Sequence, residues 1–326
     1  MATPLLDVRH LTVSYLSPSG PIHAVRDLSL EVAPAEIVAL AGETGCGKST
    51  LALSLLGLLD RRAKLESGSI LFEGRELASL TEKQWRTIRG RRIGMIFQDA
   101  RGALNPVLTI GDHLLETLRA HQEIPRRQAR SAAVRLLAEV GIPDPEKSVR
   151  RFPHELSGGM CQRVGIALAI CNHPLLLIAD EPTSALDPTL QGQILNLLQD
   201  MRRRQNVALL LISHDLALVS DVADRVVVMY LGRLMECGPA SLVLSRPAHP
   251  YTRGLLRSQP SLNHHRERQP LQPIPGIPPS PGQTLPGCPF APRCPLAEPV
   301  CGETLPALVE LSPGHHAACV KAGADS

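Results

Sequence analysis

Aromatic residues are scarce in this chain. Phe, Trp and Tyr together make up 2% of its 326 residues, and surfaces that stack on nucleic-acid bases depend on such rings. The formal net charge is only +3, and the arginines occur in short, scattered groups rather than in one stripe. A nucleic-acid-binding surface is therefore not expected.

The chain also lacks any apolar run approaching the roughly 20 residues that a bilayer-spanning helix needs. Residues 1–7 contain no basic segment followed by an apolar core, so no secretory signal is predicted. Together these absences predict a reducing cytoplasmic environment, in which eight cysteines do not indicate a disulfide framework. At this length we expect one large domain with a smaller appendage.

The most informative stretch is GETGCGKST, residues 42–50. It follows the apolar run 37–41 and precedes the helical pattern 51–56, so we predict a strand, a glycine turn and a helix in that order. Glycine turns let backbone N–H groups point at phosphate oxygens, and the helix N-terminus adds a positive dipole. In this pattern Lys48 contacts the β- and γ-phosphates and Ser49 ligates Mg²⁺.

Hydrophobic patterning around this loop predicts an α/β fold. Apolar and polar positions alternate over residues 5–34, which favours antiparallel strands. Helical periodicity is typical of residues 104–149, and we predict a helical subdomain over about 101–160. Continuous apolar runs at 175–179, 207–212 and 226–229 predict strands buried on both faces, and hence a parallel sheet with helices on either side.

Prolines crowd the chain beyond residue 258, and neither a long helix nor a central strand is expected there. We predict an extended connector that leads to a small cysteine-bearing tail outside the sheet. The predicted boundaries are therefore 1–257 for a nucleotide-binding domain and 258–326 for the C-terminal extension.

Polar side chains follow the runs 175–179 and 207–212 and a further buried strand that we predict within residues 92–99. Asp180 and Glu181 come after the apolar run 175–179, on the carboxyl edge of the sheet, where such folds bind ligands. Beside a phosphate loop, Asp180 can hold Mg²⁺ and Glu181 can polarise a water molecule against the γ-phosphate. We expect His214 to contact the γ-phosphate and Gln98 to complete the shell of Mg²⁺ and water.

A second phosphate-type pattern is LSGGM, residues 156–160. Ser157 is suited to cap the helix predicted at 161–171, and the two glycines expose backbone N–H groups. A helix start of this kind can bind an anion. Because it would crowd a nucleotide already held by residues 42–50, we expect it to bind the nucleotide of a second chain.

With these motifs the chain resembles the nucleotide-binding subunits of ABC transporters over nearly its whole length. The resemblance implies an ABC-type P-loop NTPase fold: a RecA-like core, an antiparallel β subdomain and a helical subdomain. It also implies ATP and Mg²⁺ as ligands, and a head-to-tail dimer in which each ATP lies between one chain's Walker A loop and the other's signature. The residues it assigns are Tyr15 on adenine; Gly42, Gly45, Cys46, Gly47, Lys48, Ser49 and Thr50 on the phosphates; Ser49, Gln98 and Asp180 on Mg²⁺; Glu181, His214, Gln98 and Lys48 in catalysis; and Ser157, Gly158, Gly159 and the D-loop Asp187 (184–187) on the partner's ATP.

Within that family the chain resembles the oligopeptide and dipeptide importer branch. The signature ends in Met160 where most of the family has glutamine, and residues 97–106 and 249–256 agree with the same branch. The resemblance implies a peripheral motor on the cytoplasmic face of the membrane, with two permeases, a sibling ATPase as heterodimer partner and an extracytoplasmic binding protein.

Two alternatives remain open at this point. The same motor role in nickel or metal-chelate import is one. A soluble ABC ATPase acting on DNA or ribosomes is the other, although it would need a long coiled-coil insertion or a second nucleotide domain, and neither pattern occurs in this sequence.

The tail contains four cysteines in a C-x₅-C-x₆-C-x₁₇-C pattern. In a segment with little apolar core they predict a cross-linking centre, and Cys₄ ligation suits an iron–sulfur cluster or a structural zinc. The tight C-x₂-C pair usual for zinc is missing. The resemblance to peptide-importer ATPases that have such a tail also implies an iron–sulfur cluster. We expect a [4Fe–4S] cluster, with zinc or no metal as alternatives. The predicted ligands are Cys288, Cys294, Cys301 and Cys319, whereas Cys46, Cys161, Cys171 and Cys237 are expected to be small buried residues of the core.

Overall fold

The structure, a computed structural model, describes residues 3–18, 20–184, 186–259, 272–280, 282–283 and 285–322. Its strands are β1 (Leu6–Ser17), β2 (Gly20–Val32), β3 (Ile37–Ala41), β4 (Ala63–Phe72), β5 (Arg75–Glu76), β6 (Ile93–Ile96), β7 (Leu176–Asp180), β8 (Ala208–Ser213), β9 (Arg225–Tyr230), β10 (Arg233–Pro239), β11 (Val309–Ser312) and β12 (His315–Ala317). Its helices are α1 (Lys48–Leu55), α2 (Glu82–Trp85), α3 (Ile110–Arg119), α4 (Arg126–Glu139), α5 (Pro145–Ser148), α6 (Gly158–Ile170), α7 (Pro188–Gln205), α8 (Leu216–Ser220), α9 (Ala240–Ser245), α10 (Pro250–Arg257) and α11 (Pro299–Glu303).

The described residues form two compact units. The first draws on residues 1–33, 37–79 and 211–326, and the second on 34–36 and 80–210. The chain passes from the second unit to the first within β8. In the first unit the strand order is β11-β12-β10-β9-β3-β8, and in the second it is β8-β7-β6.

The parallel strands form the buried centre of each unit. Every residue of β3 and of β7 is buried, as expected of strands that are covered on both faces. In the first unit β3 runs parallel to β9, with Ala41 opposite Val228. In the second unit β6 runs parallel to β7, with Ile96 opposite Ala179. The predicted parallel pairing is thus confirmed.

The first unit also contains an antiparallel sheet of order β2-β1-β4-β5. Strands β1 and β2 pair from Leu6 opposite Val32 to Ser17 opposite Gly20. Both strands mix buried with exposed side chains, because an antiparallel sheet can have one face on the core and the other in solvent. The antiparallel strands predicted over residues 5–34 are therefore present.

Helices α3, α4 and α5 lie in the segment 101–160, where helical periodicity predicts them. Thr109 caps α3 by accepting a hydrogen bond from the N–H of Asp112 (3.1 Å), and its hydroxyl donates to the Asp112 carboxylate (2.6 Å). Helix α4 is followed by Gly141 with φ +74°, a common way to end a helix. None of the helices in the ranges given above is both long and apolar enough to cross a bilayer.

The end of the C-terminal extension joins the first unit's sheet, so the prediction of a tail outside it was wrong. Strand β12 pairs with β10, with Glu236 opposite Ala317, and β11 pairs with β12. Beyond Pro306 the single proline, Pro313, lies in the turn between β11 and β12, so backbone N–H groups remain available for an edge ladder.

The proline-rich connector agrees with the prediction in the part that is described. Residues 272–280 contain neither helix nor strand, as expected where prolines remove backbone donors. Pro260, Pro270 and Pro281 of the predicted connector lie outside the described residues.

A buried carboxylate joins β10 to the extension. Glu236 has no exposed surface, and it accepts hydrogen bonds from the N–H groups of Ala248 (2.8 Å) and His249 (2.9 Å). Its Oε1 also lies 2.8 Å from Nε2 of His315 in β12. A buried charge is tolerated when hydrogen bonds replace its hydration, so this carboxylate ties three segments together.

We therefore expect Glu236→Ala to lower the free energy of unfolding by roughly 3–5 kcal/mol, because it leaves two backbone amides and a histidine without their acceptor in a dry site. Urea denaturation followed by circular dichroism measures the change. The control is Glu303→Ala, at an exposed carboxylate of the same extension, which should shift the free energy by no more than about 0.5 kcal/mol. Equal midpoints for the two variants would contradict this account.

Candidate nucleotide site

The loop between β3 and α1 is shaped by glycines that cannot be replaced without movement of the backbone. A Cβ on Gly42 would lie 2.2 Å from the backbone oxygen of Met229, at a φ of +153°. A Cβ on Gly47 would lie 2.1 Å from the backbone oxygen of Ala24, at a φ of +110°. Because glycine alone tolerates both the conformation and the close approach, the loop packs tightly against β2 and β9.

Lys48 opens α1 and is buried. Its Nζ donates to the backbone oxygens of Gly42 (2.7 Å) and Glu43 (3.1 Å), so the ammonium lies within the curve of the loop. The Nζ also donates to Sγ of Cys46 at 3.8 Å. Because sulfur is a weak acceptor, a phosphate oxygen can replace it. Ser49, the next residue of α1, is exposed.

Tyr15 of β1 lies beside the first turn of α1. Its hydroxyl oxygen is 3.3 Å from Oγ1 of Thr50, and the residue is half-buried. His214 follows β8 in the same unit and has an exposed side chain. Its backbone oxygen accepts a hydrogen bond of 2.8 Å from Nε2 of Gln259.

The second unit brings Gln98 and Glu181 together. The Nε2 of Gln98 donates to Oε2 of Glu181 at 3.1 Å. Each residue lies two positions beyond the register pair of Ile96 and Ala179, so the parallel pairing itself sets this contact. Asp180 is the buried last residue of β7, and Glu181 adopts a φ of +46°, a left-handed conformation that is uncommon outside glycine.

The LSGGM segment begins a helix as predicted. Ser157 caps α6 by accepting a hydrogen bond from the N–H of Met160 (3.3 Å). A Cβ on Gly159 would lie 2.9 Å from the Leu190 side chain, so the missing side chain lets α6 approach α7 closely. Asp187 caps α7 by accepting from the N–H of Leu190 (3.1 Å). Ala185 of the predicted D-loop lies outside the described residues.

The candidate residues are divided between the units. The first unit contains the loop with Lys48, and Tyr15 and His214. The second contains Gln98, the pair Asp180 and Glu181, the signature 156–160, and Asp187. Gly45 and Cys46 lie in the loop 42–50, and Gly158 lies in the signature 156–160.

The four cysteines of the extension line a single small cavity in the first unit. That cavity has an apolar lining, to which His249 and Phe290 also contribute. Burial raises the pKa of the Cys288 thiol to about 11. In the ranges that the structure covers, however, no set of three or more His, Cys, Asp or Glu side chains is arranged to hold a metal ion.

The cysteines of the core mostly behave as predicted. Cys46, Cys161 and Cys171 are buried, whereas Cys237 is only partly so. Burial raises the pKa of Cys171 to about 12 and that of Cys237 to about 11, so both remain neutral thiols at physiological pH.

Three residues at the loop, Glu43, Arg293 and Tyr251, receive no role in the nucleotide site from the sequence analysis. Glu43 occupies a position that the phosphate-loop motif leaves open, and its carboxylate lies 2.6 and 3.0 Å from the guanidinium nitrogens of Arg293. The N–H of Glu43 donates to the hydroxyl of Tyr251 at 2.8 Å. Arg293 lies within the cysteine pattern at a position to which the sequence analysis assigns no role, and no local signal relates it to Glu43.

Comparison with known proteins agrees with this geometry. A family profile described as "ABC transporter" matches residues 25–184, and one described as "Oligopeptide/dipeptide transporter, C-terminal region" matches residues 235–301. A Sinorhizobium fredii protein named "Probable peptide ABC transporter ATP-binding protein" is 45% identical over 316 residues, which cover 97% of this chain and 94% of the relative. The chain belongs to the ABC transporter ATP-binding family. Its members are ATPases, so the expected family and enzymatic activity are confirmed.

Other relatives and solved structures support the same assignment. A Brucella melitensis protein provisionally named a peptide import ATP-binding protein is 44% identical over 328 residues, covering 98% of this ABC ATPase and 97% of the relative. A dimeric bacterial ABC transporter cassette matches with a TM-score of 0.65 and 25% identity, over 72% of this chain and 98% of that one. The cbiO1 protein of Clostridium perfringens, part of an ABC transporter complex, matches with a TM-score of 0.64 and 28% identity. The match covers 75% of this chain and 92% of that one. The predicted fold class is confirmed.

We expect Gly47→Ala to weaken nucleotide binding at least about ten-fold, equivalent to about 1.4 kcal/mol, because the new Cβ forces the loop away from β2. Titration of the purified protein with a fluorescent ADP analogue and Mg²⁺ measures the affinity. The matched control is Gly192→Ala in α7, where a Cβ meets nothing within 4 Å and affinity should stay the same. A Gly47→Ala protein with unchanged affinity would show that the loop is more adaptable than its contacts indicate.

Proposed function

We propose that this ABC ATPase is the motor subunit of an importer of di- or oligopeptides. The observation that carries the proposal is the match of residues 235–301 to the C-terminal region of oligopeptide and dipeptide transporters, on a chain that also has the ABC transporter domain. The names of the Sinorhizobium and Brucella relatives, which refer to peptides, point the same way.

The proposed ATP site is built on the loop 42–50. Backbone N–H groups of the loop and the N-terminus of α1 bind the phosphates, and Lys48 binds the β- and γ-phosphates by exchanging some of its present contacts for phosphate oxygens. Ser49 is proposed as a ligand of Mg²⁺, and Thr50 as a further contact of the phosphates. Tyr15, held near Thr50, is proposed to stack on the adenine ring.

Hydrolysis is assigned to the polar ends of the second unit's strands and to His214. Glu181 polarises the attacking water, and its hydrogen bond to Gln98 orients the carboxylate before ATP arrives. Gln98, Asp180 and Ser49 are the residues that would hold Mg²⁺, and the ion, when bound, would neutralise charge on the phosphates. His214 contacts the γ-phosphate and orients the water.

The signature is proposed to act on a second ATP. Ser157, Gly158 and Gly159 begin α6, and the exposed N–H groups of a helix start favour an anion. In a head-to-tail dimer these groups bind the γ-phosphate held by the partner's loop, with Asp187 at the same interface. The dimeric state of the similar cassette supports the formation of a dimer, and we propose a sibling ATPase as the partner.

The proposed transporter adds two permeases and an extracytoplasmic binding protein to the ATPase pair. In the second unit, an open groove of about 820 Å³ is lined by the end of α3 and the residues before α4. Its lining alternates apolar side chains such as Leu115 and Ile124 with charged ones such as Glu116 and Arg119, which suits a short amphipathic helix of a permease. Docked in this way, the ATPase is proposed to lie on the cytoplasmic face of the membrane.

Reconstitution in proteoliposomes with two permeases tests the proposal. We expect peptide-loaded binding protein to stimulate both ATP hydrolysis and peptide uptake. Glu181→Gln should abolish both activities and accumulate ATP-bound dimers, because the amide cannot accept a proton from water. Phosphate release and gel filtration with ATP measure these effects.

The matched control is Glu146→Gln, at an exposed carboxylate of α5, which should hydrolyse ATP at the normal rate. Undiminished phosphate release by Glu181→Gln would remove this residue from the mechanism. Stimulation by a nickel- or chelate-loaded binding protein, with no response to peptides, would favour the alternative substrate class.

We also propose that the four cysteines of the extension (258–326) hold a [4Fe–4S] cluster. They line one apolar cavity, although among the described residues no grouping suited to a metal ion is found. The preference for a cluster over zinc rests on the sequence, in which the tight C-x₂-C pair usual for zinc is missing. When bound, such a group would cross-link the segment 288–319.

Protein purified without oxygen should be brown and contain about four iron and four sulfide ions per chain. Replacement of Cys294 by Ser should remove most of the iron, whereas Cys237→Ser, in β10 and away from the cavity, should retain it. Iron and acid-labile sulfide assays with the visible spectrum measure the content. A colourless protein that contains zinc would refute the cluster.

A further inference from the structure

Arg293 of the C-terminal extension reaches the ATP-binding loop. Its Nη1 lies 2.6 Å from Oε2 of Glu43 and its Nη2 lies 3.0 Å from Oε1, a two-pronged contact. The Arg293 side chain is 4% exposed and that of Glu43 is 25% exposed. Paired guanidinium and carboxylate groups in this geometry form strong, directional hydrogen bonds, and they raise the pKa of Arg293 above its ordinary value.

The extension fixes Arg293 from its own side. The residue ends the 3₁₀ turn Ala291–Arg293, and its Nε donates to the backbone oxygen of Pro275 at 3.0 Å. Its Nη1 also lies 3.2 Å from the hydroxyl of Tyr230 at the end of β9. The guanidinium therefore has protein partners along both edges, and little freedom is left for it to turn away from Glu43.

An aromatic cluster anchors the turn that carries Arg293. Phe290 is 1% exposed, and its ring lies 5.4 Å from that of Tyr230 and 5.2 Å from that of Tyr251. Tyr251 in turn accepts a hydrogen bond from the N–H of Glu43 through its hydroxyl (2.8 Å). The extension and α10 thus hold both the side chain and the backbone of one loop residue.

The constraint on Glu43 extends to the ammonium that binds phosphate. The backbone oxygen of Glu43 accepts a hydrogen bond from Nζ of Lys48 (3.1 Å) and one from the N–H of Cys46 (3.2 Å). A shift of the Glu43 backbone would therefore disturb its hydrogen bonds with both Lys48 and Cys46. Buried ion pairs add little net stability compared with apolar packing, so holding the loop in one conformation is the better account of this pair.

We propose that Arg293 is a positioning residue for ATP binding. Through its contact with the Glu43 side chain it fixes the Glu43 backbone, which in turn orients Lys48 and the loop. The inference rests on the ATP-binding activity and not on the transported substrate or on the cluster. It makes the C-terminal extension, and not only the ABC core, part of the nucleotide site.

The test compares Arg293→Met with Arg293→Lys in the full-length protein. Methionine keeps much of the volume but removes the charge and donors, and we expect KM for ATP and Kd for a fluorescent ADP analogue to rise about ten-fold, with kcat reduced less than two-fold. Lysine restores a charge but not the two-pronged geometry, so it should recover part of the affinity. Glu43→Gln should resemble Arg293→Met, and the double variant Arg293→Met with Glu43→Gln should be no weaker than either alone.

Glu298→Gln is the matched control, because it removes the ion pair of Glu298 with Lys321 (2.6 Å) in the same extension without touching the loop. It should leave KM and Kd unchanged. Thermal unfolding without nucleotide separates loss of fold from loss of positioning. If Arg293→Met does not fold, Glu43→Gln replaces it in the comparison. Unchanged KM and Kd in a folded variant of either residue, or an equal loss in Glu298→Gln, would overturn the proposal.

Discussion

Parallel strand pairing is the constraint on which the chemistry of this protein depends. In the first unit, the pairing of β3 with β9 brings the end of each strand to one edge, and the loop after β3 packs against the backbone at Met229. In the second unit, the pairing of β6 with β7 fixes the register from which Gln98 meets Glu181. The polar groups are therefore held by strands whose own side chains are almost entirely apolar.

The starts of α1 and α6 both depend on glycines that have no side chain to obstruct packing. Gly47 precedes α1 and Gly159 lies in the first turn of α6, each where a Cβ would collide with a neighbour. Glycine therefore allows close packing at the start of both helices.

Much of this architecture could be predicted from the sequence because it is local. The loop 42–50, the strand before Asp180 and the helix after Ser157 each follow from a contiguous pattern of apolar, glycine and capping residues. Proline density correctly predicted an irregular connector at 272–280. The same density gave a wrong prediction for the tail, which joins the sheet through β11 and β12. These two short strands contain no proline, and a count over the whole segment does not reveal them.

The contacts that could not be predicted join residues distant in the chain. Nothing in a local pattern relates Glu43 to Arg293, which are 250 positions apart, or Glu236 to His315. A charged residue in a loop or between cysteines is most often solvated, so its burial emerges only from the packing of Phe290 and the tyrosines.

The pair of Glu43 and Arg293 has a consequence for recombining parts of such proteins. A chimera that joins the ABC core of one relative to the extension of another would separate two residues that function together. Grafting would succeed only where donor and recipient carry matching residues at both positions. Deleting the extension to obtain a minimal ATPase would likewise remove the partner of the Glu43 carboxylate. The nucleotide affinity of the shortened enzyme would then be a poor guide to that of the intact one.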